Sequence, residues 1–297
     1  MKSNQTSHIF LLATALIYGA NYTIAKDVLS NDFISPMSLV FFRASSALVL
    51  FFIFHSLFVK EKVDKKDLKD IFLMSLFGVI INQSFFIIGL KYTTPINAAL
   101  LLTVVPILVF IFSSIILKER ITLMKITGIT LGLAGVLTLI LNRGAISLNS
   151  NTLKGDILVF LNAASYAYYL VKVKPLFKKY NPVTITKWMF FFSVICLLPF
   201  SFNDIFTVKW EYFDIKLWLS FGYVLVFTTF LAYLLNNFAL QKTNPSVVSI
   251  YIYLQPVIAT VIALLLSKDT LNLEKVISGI LIFTGIYLVS YNKKNAS

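Results

Sequence analysis

The sequence predicts an all-α polytopic membrane protein of ten transmembrane helices arranged as two inverted five-helix repeats. Three observations carry this expectation. Hydrophobic residues make up 58% of the 297 and charged ones only 13%, about half the charged share of an ordinary soluble domain. The mean hydropathy is +0.83, and apolar runs near the ~20 residues needed to cross a bilayer recur along the whole chain. Finally, the stretch from Thr93 to Ile140 returns, without a gap, 150 positions later. Thr93 falls on Thr243, Pro95 on Pro245, Pro106 on Pro256, Lys118-Glu119 on Lys268-Asp269, Leu123 on Leu273, Lys125 on Lys275 and Gly135 on Gly285.

Apolar runs bounded by charge or by Pro, Asn and Asp turns place the ten spans near 9–29, 37–59, 70–90, 95–117, 122–141, 155–173, 183–202, 217–240, 245–267 and 273–291. Connections are short, and the longest polar segments, at 60–70, 142–154 and 203–216, leave no room for a soluble catalytic domain. The Asn- and Ser-rich segment after Asn142 is the natural seam, giving repeats over 1–147 and 148–297. With the N-terminus inside, alternate loops hold 17 Lys and Arg on the cytoplasmic side against 7 opposite, Lys26 and Arg43 lying in or at the ends of spans. The positive-inside rule then sets both termini in the cytoplasm and the chain in the inner (cytoplasmic) membrane. Because five is odd, the second repeat enters from the opposite side, the architecture through which secondary carriers expose one central site alternately.

Net charge is +13, but the lysines sit in short loops, where they meet lipid headgroups, so nucleic acid is not an expected partner. The single Cys196 forms no internal disulfide, and His8 and His55 lack neighbouring ligands for a metal. No cofactor motif, carboxylate pair, nucleophile elbow or phosphate loop appears, so no enzyme activity is expected. The first apolar run reads as a retained span. Oligomeric state is not legible.

Pro95 and Pro245 mark helix starts. Pro106 and Pro256, about eleven residues further on, fall near the midplane, where each frees a carbonyl four residues earlier, on Leu102 and Ile252. Paired midplane kinks point to a gating and binding region. Polar residues inside spans should face the bundle interior. Candidate substrate-binding residues are Tyr18, Asn21 and Tyr22 on the first span, Asn82 and Gln83 on the third, Asn162, Tyr166 and Tyr169 on the sixth, Tyr233 and Asn237 on the eighth, and Tyr253 before Pro256. Asn162, Ser165, Tyr166 and Tyr169 stand at i, i+3, i+4 and i+7, one helical face. Such aromatic walls with neutral hydrogen-bonding groups suit an amphipathic organic solute. Lys26 and Arg43 either snorkel to the surface or lend positive charge to an outer vestibule. No Asp or Glu stands near a span centre. Trp188, Trp210 and Trp218 read as interface anchors.

The first-span segment YGANYTIAK, the arginine ending FFR at 43, the segment TTPINAALLLTVVPILVFIFSSIILKER with GITLGLAGV, and GDILVFLNAASYAYY from Gly155 together resemble the EamA family of the drug/metabolite transporter superfamily. Tyr18 replaces that family's usual Trp, Asp269 its usual Glu, and the glycine near Ser278 is shifted to Gly279. The resemblance implies ten helices in two inverted halves and export or exchange of small organic metabolites, such as amino acids or drug-like compounds, by alternating access. A nucleotide-sugar or lipid-type carrier is the alternative, and a membrane enzyme or non-transporting protein the remoter one.

Overall fold

The computed structural model describes residues 2–30, 32–141, 150–265 and 273–290, all in helices, turns and short connections, with no strand among them. The expectations for Lys268-Asp269 and for most of the seam lie outside the described residues.

The helices are α1 (Lys2–Ser30), α2 (Pro36–Phe58), α3 (Leu68–Ser75), α4 (Ile81–Tyr92), α5 (Pro95–Leu102), α6 (Val105–Ile116), α7 (Leu123–Leu141), α8 (Ser150–Lys172), α9 (Lys174–Lys179), α10 (Pro182–Ile205), α11 (Ile215–Leu225), α12 (Ala232–Lys242), α13 (Pro245–Ile250), α14 (Leu254–Leu265) and α15 (Leu273–Ser290). Among the described residues seven helical segments are long and apolar enough to cross a membrane: Gln5–Ser30, Pro36–Phe58, Lys65–Tyr92, Asn97–Ile116, Pro182–Ile205, Ile215–Lys242 and Leu273–Ser290. Leu123–Thr138 and Pro245–Ile258 are apolar but shorter. Helix α8 has the length, at 23 residues, but carries Lys154, Asp156 and a polar face.

Local sequence sets the ends. Ser35, Asn181 and Asp214 cap α2, α10 and α11 by accepting from the amides of Ser38, Val183 and Leu217. Prolines open α2, α5, α10 and α13 at the first turn, where no amide hydrogen is needed.

Two features repeat at the offset of 150. The segment α3–α4 is interrupted by a π-helix at Leu76–Ile80, and α11–α12 by one at Val226–Leu231. The spans opened by Pro95 and Pro245 are broken as well. Where a kink within one helix is expected, there are two shorter helices, joined at Thr103 and Val104 in one case and through a 3₁₀ turn at Tyr251–Tyr253 in the other. Pro106 stands in the first turn of α6 and so starts a helix after the break. The amides of Thr103 and Val104 reach back to the carbonyls of Leu100 and Leu101, the tighter spacing of a 3₁₀ turn.

Small residues bring backbones together. A Cβ added at Gly128 would stand 2.8 Å from the carbonyl oxygen of Gly285, and one at Gly135 would stand 2.8 Å from that of Ser278. The order of these contacts makes α7 and α15 antiparallel. Helices α4 and α8 also pack antiparallel: Gly89 lies against Gly155, the Asn162 amide donates to the Asn82 carbonyl at 2.7 Å, and Ser165 donates to Phe77 at 2.6 Å. Helices α2 and α10 meet through Phe51 and Phe190, stacked at 5.7 Å. In hydrocarbon, where water offers no driving force, such close van der Waals fit is the main source of helix association. Trp210 and Trp218 stack at 5.6 Å at one end of this bundle.

Candidate functional site

A cavity of about 100 Å³ opens between α1, α2, α4, α8, α12 and the two broken spans. That is several times the ~10–15 Å³ one water needs on the same measure. Its wall contains eight of the eleven candidate substrate-binding residues: Tyr18, Asn21, Tyr22, Asn82, Gln83, Asn162, Tyr166 and Tyr233. Leu102 and Ile252, the residues whose carbonyls Pro106 and Pro256 free, line it too; the prolines themselves do not. Asn236, Tyr251, Gln255 and Phe86 complete its polar and aromatic surface.

The wall is held by hydrogen bonds between helices distant in sequence. Tyr22 donates to Gln255 Oε1 at 2.7 Å, tying α1 to α14. Tyr233 donates to the Gly78 carbonyl at 2.7 Å. Asn236 donates to the Tyr166 hydroxyl at 3.1 Å. At the N-terminal end of α1, His8 Nδ1 and the Tyr251 hydroxyl are 2.7 Å apart. The π-helices serve this site: Gly78 is in the first, while the second contains Thr229, whose Oγ1 accepts from Arg43 Nε at 2.9 Å. Widened helical turns of this kind recur at functional sites because they release and redirect backbone and side-chain groups.

Arg43 lines the cavity and is only 4% exposed. It therefore does not snorkel. Its Nη1 has no hydrogen-bond partner, and it forms no ion pair with a described residue. Lys26 is placed differently: its ammonium donates to the carbonyls of Leu90, Lys91 and Thr93 at 2.7, 3.0 and 3.0 Å, capping the C-terminal end of α4. Lys174, not singled out in the sequence, repeats that arrangement on Leu240, Gln241 and Thr243 at 2.5, 2.8 and 2.5 Å. These three acceptors follow those of Lys26 by 150 positions. A second lysine near the matching end of the sixth span was the signal available for it.

Tyr169, Asn237 and Tyr253 lie outside the cavity. Tyr169 donates to Asn237 Oδ1 at 2.9 Å, and Asn237 donates to Thr186 Oγ1 at 2.9 Å, a buried chain joining α8, α12 and α10. The Tyr169 ring fills the space left by Gly78, where an added Cβ would stand 2.5 Å from it. The Tyr253 ring packs in the same way against Gly132 of α7. Helical rotation accounts for the latter. Tyr251 and Gln255 are four residues apart and share a face, whereas Tyr253 points to the other side.

A family model, that of the EamA-like transporter family, matches residues 5–141 and again residues 153–291. The chain belongs to the EamA-like transporter family. It is thus a multi-pass membrane transporter of the drug/metabolite transporter superfamily. Relatives agree along the whole length. An uncharacterized transporter of Archaeoglobus fulgidus is 30% identical over 281 residues, 95% of this chain and 97% of that protein. The uncharacterized transporter YyaM of Bacillus subtilis is 26% identical, covering 98% of this chain and 97% of its own. The protein WALLS ARE THIN 1 of Arabidopsis thaliana is 24% identical, covering 96% and 82%. A solved crystal structure matches with a TM-score of 0.72 over 96% of this chain and 97% of that one; at 15% identity it speaks to the EamA-like fold alone.

Proposed function

We propose that this EamA-like protein is a secondary carrier that exports or exchanges small amphipathic organic metabolites by alternating access. It would do so from ten spans forming two inverted halves, 1–147 and 148–297. The carrying observation is the cavity itself. It lies beside two helix breaks that match at an offset of 150, and residues of both halves line it. A site at the junction of repeats, walled by interrupted helices, is what alternating access requires, because each half can then tilt about a fixed centre.

Further support comes from the helix pair α7 and α15. They hold equivalent places in the two repeats and run antiparallel, as inversion demands. The matched lysine caps at Lys26 and Lys174 and the matched π-helices agree with it. The two consecutive family matches divide the chain near the proposed seam. Inversion also suits the lysine distribution, which favours cytoplasmic termini in the inner membrane.

Tyrosine rings, amides and apolar side chains make most of the cavity wall. That lining favours a solute with an apolar body and a few hydrogen-bonding groups over a bare ion. It disfavours a nucleotide sugar, whose phosphates call for several cations. The test is metabolite profiling of cells lacking and overproducing the protein, followed by uptake of the changed compounds into proteoliposomes. Accumulation of one solute class, saturable and reproduced with purified protein, is expected; no flux of any organic solute under either gradient direction would overturn the proposal.

A further inference from the structure

Resting on the carrier reading, we infer that Arg43 and the groups around it form a subsite for a carboxylate, and that the solute is an organic acid with a single anionic group. The charge in the cavity wall is unbalanced. Arg43 is the one charged side chain in the cavity wall, and no Asp or Glu shares that wall among the described residues. A guanidinium taken out of water without an anion is expensive, and it is tolerated where a partner arrives to complete it.

Geometry gives the partner a place. Thr229 Oγ1, presented by the π-helix Val226–Leu231, accepts a hydrogen bond from Arg43 Nε–H at 2.9 Å and fixes the plane of the fork. Nη1 is left unpartnered and buried. A guanidinium so held offers parallel N–H donors to a planar carboxylate, the pairing that Arg makes and a lysine point charge does not. A single guanidinium balances one negative charge, which distinguishes a carboxylate from a doubly charged phosphate.

The rest of the wall describes the remainder of the solute. Asn21 Oδ1 and Gln83 Oε1 are buried acceptors without a partner, and both residues line the cavity. Buried polar atoms left unpaired are destabilising, so a solute N–H or O–H group that meets them is favoured. Tyr18, Tyr166 and Phe86 offer ring surface for its apolar body. A cationic amine finds no carboxylate here and faces the Arg43 charge.

Benzoate is a suitable probe, with benzamide and benzylamine as its neutral and cationic counterparts. Binding is measured by calorimetry on the full-length protein in lipid nanodiscs at pH 7. The wild type is expected to bind benzoate at least tenfold more tightly than either counterpart, and Arg43→Gln to weaken benzoate at least tenfold while leaving benzamide unchanged. Equal binding of benzamide, preference for benzylamine, absence of benzoate binding, or unchanged benzoate affinity in Arg43→Gln would each overturn the subsite. The wild-type comparison stands even if Arg43→Gln does not fold. Proteoliposome flux separates the two claims. Carriage of only neutral or cationic solutes removes the subsite and keeps the carrier; benzoate binding with the stated preferences but no flux of any solute keeps the subsite and removes the carrier.

Discussion

Replacing Gly128 with alanine tests the packing that joins α7 to α15. The new Cβ would meet the Gly285 carbonyl oxygen and the Val289 side chain, each at 2.8 Å. Ordinary contact begins near 3.4 Å, so the helices must part by roughly 0.6 Å or the backbone must bend, because a carbonyl cannot turn aside as a side chain can. Overpacking of this kind costs about 1–3 kcal/mol. Alanine also removes the helix penalty of glycine, about 1 kcal/mol, which would hide part of the loss. Gly279 supplies the control. It lies on α15, and a Cβ there meets nothing within 4 Å, so Gly279→Ala shows the propensity gain without the clash. Equilibrium unfolding in mixed detergent micelles should place Gly128→Ala below Gly279→Ala by about 1–3 kcal/mol, with Gly279→Ala at or above the wild type. Two variants of equal stability would refute the close approach of these helices.

Tyr169→Phe should cost about 1–3 kcal/mol, because Asn237 Oδ1 is left buried without its donor; unfolding measurements check this, and solute affinity should not change, since the residue lies outside the cavity. Lys174→Met should cost about 1.5–3 kcal/mol through the three carbonyls it abandons. Burial pushes the Lys174 amine down to about 8, with Lys178 adding to the effect. The unfolded chain therefore holds a proton there that the folded one has released, from about pH 8 to the ordinary lysine range. Stability of the wild type relative to Lys174→Met should rise with pH across that window, and a flat difference would contradict it. Beyond the spans, Lys179 donates to Asp64 at 2.9 Å and to Asp67, and Tyr180 donates to Asp67 at 2.6 Å. The Lys179 ammonium holds both carboxyls below their usual range. Their contribution is present above about pH 4 and is lost as pH falls through the lowered values; Asp67→Asn should flatten that acid limb in a pH series of unfolding midpoints.

Much of this was legible in the residues. Pro95 and Pro245 open helices, and the paired Pro106 and Pro256 follow paired breaks whose preceding residues line the cavity. Asn162 and Tyr166 share the cavity as their spacing of four suggests. Tyr169 shares their face but lies roughly 10 Å along the axis from Asn162 at ~1.5 Å per residue, where it fills the space at Gly78 and does not line the cavity. Periodicity fixes direction, not height. The π-helices left no trace in composition, since one extra residue in a turn depends on packing against neighbouring spans. Lys26 and Arg43 looked alike as isolated cations; only the partners that folding brings to them, three carbonyls for one and a threonine for the other, separate a cap from a site.

The proposed carrier mechanism requires that the two halves have opposite orientations around the cavity. The direct measurement is single-cysteine labelling at positions 118 and 268 in a Cys196→Ser background, with a membrane-impermeant maleimide applied to intact cells and to inverted vesicles. Position 118 should react only in vesicles and position 268 only in cells. Reaction of both positions from the same side would contradict the inverted architecture and the carrier mechanism built on it.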